Sequence, residues 1–137
     1  MSFEELEHTA DIRMKITAPD FSGLFSESGF ALSKTLYGDY PQEISSAEFE
    51  IEAQGRDREE LLVNFLSELL FLTETEYLVP MEFSLSVSEK AVCGKVRGVL
   101  FDRAKHFGGI GVKGISYYGI SLTESSVGAE LIIIFDI

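Results

Sequence analysis

The chain closes on an apolar run, Leu131-Ile132-Ile133-Ile134-Phe135, followed at once by Asp136 and Ile137. The run is far short of the roughly 20 residues that cross a bilayer. Short and rich in isoleucine, it reads as a strand buried on both faces, which belongs at the centre of a sheet. Other strands must then lie along both of its edges, and further elements must cover it.

The rest of the sequence supplies them. From Thr9 to Thr17 residues alternate, with Ala10, Ile12, Met14 and Ile16 to one side and Asp11, Arg13 and Lys15 to the other. Residues 43–54 alternate in the same way, with Ala47, Phe49, Ile51 and Ala53 on one face. Between these strands Pro19-Asp20 opens a helix with Asp20 as N-cap, and Gly38 stops it. Its stripe is Phe21, Leu24, Phe25, Ala31, Leu32 and Leu36. Gly23 and Gly29 weaken it by about 1 kcal/mol each relative to Ala, so packing has to hold it. A second helix over 57–72 starts with Asp57 three residues before Glu60, a capping-box spacing. Leu61, Leu62, Phe65, Leu66, Leu69 and Leu70 form its apolar face. Only strands follow: 81–87 and 92–101 around a Ser88–Ala91 hairpin turn, one from Gly114, and the last. The expected order is β-α-β-α-β-β-β-β. It implies an α+β domain over residues 1–137, a two-layer sandwich in which one mixed sheet of about six strands carries both helices on one face.

Charge narrows the function. The chain of 137 residues has 23 acidic and 11 basic side chains, a net charge of −12. Nucleic acid is held largely through its phosphates, so direct high-affinity binding to it is not expected. A role in nucleic-acid chemistry would run through a partner or a bound cation. The acidity suits docking on a basic protein, or serves solubility alone. Cys93 is the one cysteine, which rules out a disulfide framework and points to a reducing compartment, the cytoplasm. The acidic start MSFEELEHT lacks a signal peptide's apolar segment, and no membrane span is expected.

Asp136 is the chemical oddity, a carboxylate inside an otherwise apolar strand. Such a group is costly to bury unless paired or metal-bound. The chain-end carboxylate of Ile137 lies beside it, and Asp11 would join them if the first and last strands are neighbours. Those hard oxygens suit Ca2+ or Mg2+ rather than zinc. The other reading is a strand end fraying into solvent. His8, in His8-Thr9-Ala10-Asp11, is a ligand, a general base, or a residue satisfied by backbone as the strand begins. His106 precedes the glycine-rich HFGGIGVKG as a site residue or a plain loop residue. Lys113 counters a carboxylate cluster or solvates a strand end. The glycine loop fails the full phosphate-loop pattern, since neither Ser or Thr nor a helix pattern follows its Lys, and direct nucleotide binding is the lesser reading. It reads as a mobile lip. No G-x-S-x-G nucleophile turn is present. Glu43 reads as a surface acid remote from this corner.

Taken together, FEELEHTADIRMKI, GRDREELLVNFLSELLF, FDRAKHFGGIGVKGISYYGISL and IIIFDI, in this order, resemble the archease family. The resemblance implies an accessory protein that is not itself catalytic. Its partner would be an RtcB-type RNA ligase that joins tRNA exon halves, and it would promote ligase guanylylation and multiple turnover. It further implies a mixed sheet with helices to one side. Asp11, Asp136 and Ile137 would hold a Ca2+-like ion, with Mg2+ or Mn2+ as alternatives. Lys113 would act beside them; His8 and His106 join the candidate cluster from the reading of the residues alone. Two positions depart from the family pattern: Arg13 stands where glycine is usual, and Tyr118 stands in place of histidine. Two other functions fit the same residues. One is a small divalent-metal-dependent phosphoesterase using Asp11, Asp136 and His8. The other is a general chaperone or modulator of a tRNA-modifying enzyme.

Overall fold

Alternation and capping set the elements locally, and non-local pairing arranges them. The computed structural model describes residues 1–6 and 11–137. Along the chain these form β1 (Ser2–Leu6), β2 (Asp11–Ala18), α1 (Phe21–Tyr37), β3 (Ala47–Gln54), α2 (Arg58–Glu76), β4 (Leu78–Val87), β5 (Ala91–Leu100), β6 (Gly114–Ser125) and β7 (Gly128–Asp136). The class is α+β in the expected order, with β1 added ahead of it.

Both helices begin where their caps predict. Asp20 Oδ1 accepts the Gly23 N–H at 2.9 Å, and Asp57 Oδ1 accepts the Glu60 N–H at 2.8 Å. Glu60 reaches one residue further back than a capping box requires, its Oε1 accepting the Arg56 N–H at 3.0 Å. α2 runs a turn past residue 72, because Leu69, Leu70 and Thr73 prolong its buried stripe. The weak spot in α1 has a packing reason. A Cβ on Gly29 would stand 2.4 Å from the Phe83 ring, so its absence lets α1 close on β4.

The sheet corrects the expectation. In place of one mixed sheet of about six strands there are two antiparallel sheets, β1-β2-β7-β6 and β3-β5-β4. The reason lies in the connections. α1 leaves the first sheet at β2 and delivers the chain to β3 in the second. α2 does link two strands of like direction, β3 and β4, but β5 inserts between them as the antiparallel partner of both. Nor do the helices share one face of one sheet. α1 packs on β2, β7 and β4, and α2 on β3 and β6. Their buried residues, among them Leu24, Phe25, Leu32, Leu62, Phe65 and Leu66, therefore join the inner faces of both sheets in one core.

β7 is central, held between β2 and β6, as its apolar run implies. It is not buried on both faces. Ala129, Leu131, Ile133 and Phe135 are buried, whereas Ile132 and Ile134 are only half-buried. The helices cover the inner face alone, and the outer face is screened by side chains such as Lys15, which reaches Glu4 and Glu130 at 3.8 and 3.6 Å. Beside the main core a smaller cluster of Tyr37, Val79, Met81 and Val99, with Tyr40 against it, caps the C-terminal end of α1. No helix among the described residues is long and apolar enough to cross a membrane.

Leu66 is fully buried on α2. Leu66→Ala should lower unfolding free energy by about 2–5 kcal/mol through the cavity it leaves. Chemical denaturation measures this, and an unchanged midpoint would show that α2 presents a different face to the core.

Candidate functional site

The β2–β7 ladder builds the site. Its register runs from Asp11↔Asp136 to Ala18↔Ala129. Residues directly opposite in an antiparallel pair share a face, with Cα atoms about 4.5–5.5 Å apart. Ile12, Met14 and Ile16 of β2 and Leu131, Ile133 and Phe135 of β7 are buried, so Asp11 and Asp136 share the outer face. On the other side of Asp136, β6 places Gly114 opposite it. The row Asp11–Asp136–Gly114 therefore crosses three strands. A Cβ on Gly114 would already lie 3.9 Å from Asp136 Oδ2, so glycine leaves the flank of that carboxylate open. Lys113 donates its backbone N–H to the Asp136 carbonyl at 2.7 Å, and its side chain is exposed. Ile137 follows directly and is 38% exposed. The structure thus brings Asp11, Asp136, Ile137 and Lys113 to one corner. His8 lies outside the described residues.

The donor chemistry fits a hard cation. The corner offers two half-buried carboxylates on one face with backbone oxygen beside them, the donors that Ca2+ and Mg2+ take. Among the described residues no three His, Cys, Asp or Glu side chains gather in a ready metal cluster. A cation here would complete its shell from the backbone oxygen of Ile137 and from water. The next row holds Arg13, Ile134 and Ser116. Beyond it the β6 register slips between Ser116 and Ser121, and the bulge carries Tyr118, 83% exposed. Arg13 thus lies one row from the carboxylates, and Tyr118 in the bulge beyond it.

His106 sits apart from the carboxylates and belongs to the smaller cluster, edge-on to Tyr37 and Tyr40 with ring centroids 6.2 and 5.8 Å away. Its Nδ1 accepts the Asp102 N–H at 2.9 Å, so Nε2 carries the proton and donates to Glu43 Oε2 at 3.1 Å. Both ring nitrogens are engaged and the residue is 2% exposed, an anchor in this arrangement rather than a ligand. Glu43 is accordingly no incidental surface acid, since it also takes Lys105 Nζ at 3.2 Å.

The glycine loop after His106 is a docked strap and not a free lip. Its Gly108 and Ile110 N–H groups donate to the Tyr37 and Thr35 carbonyls at 3.2 and 2.9 Å. These are carbonyls of the last turn of α1 that the helix leaves without partners. A Cβ on Gly109 would lie 2.2 Å from the Leu36 carbonyl, so only glycine lets backbone lie on backbone here. Sequence reasoning missed Glu43 as the partner of His106, because 63 residues separate them. It missed Gly114 as well, although the alternation of β6 could have put it opposite Asp136.

The Lys105 ammonium, with His106 beside it, holds the Glu43 carboxyl below the usual carboxylate range. A lowered folded pKa adds stability that is present above the unfolded value and lost as pH falls through the folded one. Glu43→Gln should therefore be less stable than the parent near neutral pH, and the gap should shrink at an acid pH below the usual carboxylate range. Denaturation midpoints at both pH values test this, and a gap independent of pH would contradict it.

Comparison with known proteins places the chain. The model of the Archease protein family (MTH1598/TM1083) matches residues 3–137. Protein archease of Pyrococcus furiosus is 33% identical over 124 residues, covering 88% of this chain and 87% of that protein. Protein archease-like of Drosophila melanogaster is 34% identical over 147 aligned positions, covering 100% of this chain and 91% of that one. Among solved structures, protein 1598 of Methanobacterium thermoautotrophicum has the same fold, with a TM-score of 0.85 at 21% identity over 99% of each chain. A Thermotoga maritima structure described as an archease and possible chaperone matches with a TM-score of 0.64 at 18% identity, over 98% of this chain and 96% of that one. With the family's model spanning it nearly end to end and relatives above 30% identity along most of its length, this chain belongs to the archease family.

Proposed function

We propose that this protein is a metal-binding activator of an RtcB-type RNA ligase, working in the cytoplasm in tRNA splicing or RNA repair. It promotes guanylylation of the ligase and its multiple turnover, and performs no catalysis itself. The observation that carries the reading is the Asp11↔Asp136 pair, two carboxylates set face to face on an open sheet surface at the end of the ladder. Asp11, Asp136 and an oxygen of Ile137 would hold the ion, Ca2+ in the first place and Mg2+ or Mn2+ as alternatives. When bound, the ion supplies a concentrated positive charge to which phosphate oxygens are drawn. Lys113, exposed and held through its N–H on the Asp136 carbonyl, would add a second positive group near it. The net charge of −12 supports a division of labour, in which the ligase grips the RNA and this chain docks on the ligase.

Single-turnover guanylylation of a cognate RtcB-type ligase, with and without this protein, is the direct test. Asp136→Asn should fold normally by circular dichroism yet lose about a hundredfold of the stimulation, the scale on which one positioned electrostatic group acts. Asp11→Asn should behave alike, and the double variant should add little, since groups acting as a unit are not additive. Ca2+ at a hundredfold excess over its Kd should stabilise the parent by about 2.7 kcal/mol and leave Asp136→Asn unmoved. Full activation by Asp136→Asn would sink the reading. Hydrolysis of phosphorylated RNA ends by the isolated protein would favour a phosphoesterase, and equal stimulation of unrelated clients would favour a general chaperone.

A further inference from the structure

The segment from β5 to β6 connects two parts of the molecule that local sequence does not link. It starts in the second sheet, where Phe101 donates its N–H to the Tyr77 carbonyl at 2.7 Å. It turns at Asp102, whose carbonyl takes the Lys105 and His106 N–H groups, each at 2.9 Å. His106 is then driven into the aromatic cluster and held from outside by Glu43. The strap lies along the end of α1 through Gly108 and Ile110, buries Val112, and ends on the Lys113 N–H to Asp136. Hydrogen bonds recur at His106, Gly108, Ile110 and Lys113, and Val112 is buried before the last, so where His106 and Gly109 sit guides where Lys113 arrives.

We infer that His106, clamped by Glu43, and Gly109, laid against Leu36, are positioning residues that set Lys113 and Asp136 at the carboxylate corner. The inference rests on the proposed function of that corner, but its mechanical part stands without it. His106 acts here through two neutral-ring hydrogen bonds and its packing. Gly109 acts through the absence of a side chain. These are independent means to one placement, so breaking either should have the same consequence. Loss of the anchor should release the strap, free the Lys113 N–H and leave the Asp136 carbonyl without its donor, while the β2–β7 ladder remains.

Amide hydrogen exchange on the full chain, without ligase or metal, reads this directly. In Glu43→Ala, His106→Ala and Gly109→Ala, exchange at Gly108, Ile110 and Lys113 should rise by about tenfold or more, with Met14 and Ile133 unchanged, as local opening requires. His106→Gln, which keeps one donor and one acceptor, should restore much of the protection. Ile51→Val, a core change in the second sheet, should leave Lys113 as protected as in the parent. Affinity for Ca2+ alone, by calorimetry, should fall about tenfold in the three anchor variants, the scale for groups that orient ligands from behind. Should His106→Ala fail to fold, Glu43→Ala and Gly109→Ala carry the same test. Unchanged Lys113 exchange in folded Gly109→Ala and Glu43→Ala would overturn the inference, as would a rise spread evenly over the whole chain. If Lys113 exchange rises as expected while the parent neither binds Ca2+ nor stimulates a ligase, the strap stands and the proposed function falls.

Discussion

The antiparallel ladder between β2 and β7 is the constraint on which the rest of the molecule depends. It joins an early segment to the last one and decides which residues face the core. It also leaves two carboxylates opposite one another, an arrangement that is locally unfavourable. The magnitudes show why it persists. A pair of like charges about 4 Å apart repels by about 1 kcal/mol in water and by about 4 kcal/mol at a protein surface. Burying one large apolar side chain contributes about 1.5–3 kcal/mol, and the same register buries Ile12, Met14, Ile16, Leu131, Ile133 and Phe135 together. A slip of β2 by one residue would relieve the carboxylates but turn Ile12, Met14 and Ile16 outward. The core wins, and the corner keeps a standing negative charge that a cation would neutralise.

The helix pair is the second structural decision. Because α1 and α2 each pack on both sheets, they provide the joint between them. Arg58 at the start of α2 marks that joint on the surface. Its guanidinium lies 4.5 Å over the Phe21 ring of α1 and pairs with Glu89 of the β4–β5 turn and Glu124 of β6. Exposed ion pairs of this kind contribute about 0–1 kcal/mol each. The sheets are therefore held together mainly by the fully buried faces of Phe25, Leu32, Leu62, Phe65 and Leu66, and Arg58 orients what they join.

Much of this was legible in the residues, and the limits have physical causes. Asp20 and Asp57 marked the helix starts because capping is local chemistry. The run 131–135 marked a central strand. β1 escaped notice because SFEEL puts adjacent acids where alternation would be expected. The division into two sheets escaped because it depends on β5 inserting between β3 and β4, a pairing no local pattern encodes. The half-burial of Ile132 and Ile134 escaped for a related reason, since composition does not say which face the helices leave open. At the site, Asp136 is legible as a charge in an apolar strand, and Asp11 as its partner only if the first and last strands are neighbours. The link from His106 to Glu43 offered nothing to read, as neither residue is unusual where it stands.

Among the described residues no element covers the corner, which bears on what kind of activity it can have. A catalytic site excludes water so that its electrostatic contacts act in a medium of low dielectric. The row Asp11–Asp136–Gly114 lies instead on the outer face of a sheet whose helices are all on the other side. In water, charges 4 Å apart interact by about 1 kcal/mol, and near a protein surface of effective dielectric 20 by about 4 kcal/mol. Covering this face with another protein would thus strengthen every contact the corner makes without any change in its own geometry. Gly114 leaves the flank of Asp136 clear for such an approach, and the strap holds Lys113 in place before it occurs. On the proposed reading, this is why the chain works as an activator: it supplies a rigid, charged and unfinished half of a site, and the ligase surface supplies the shielding that makes it effective.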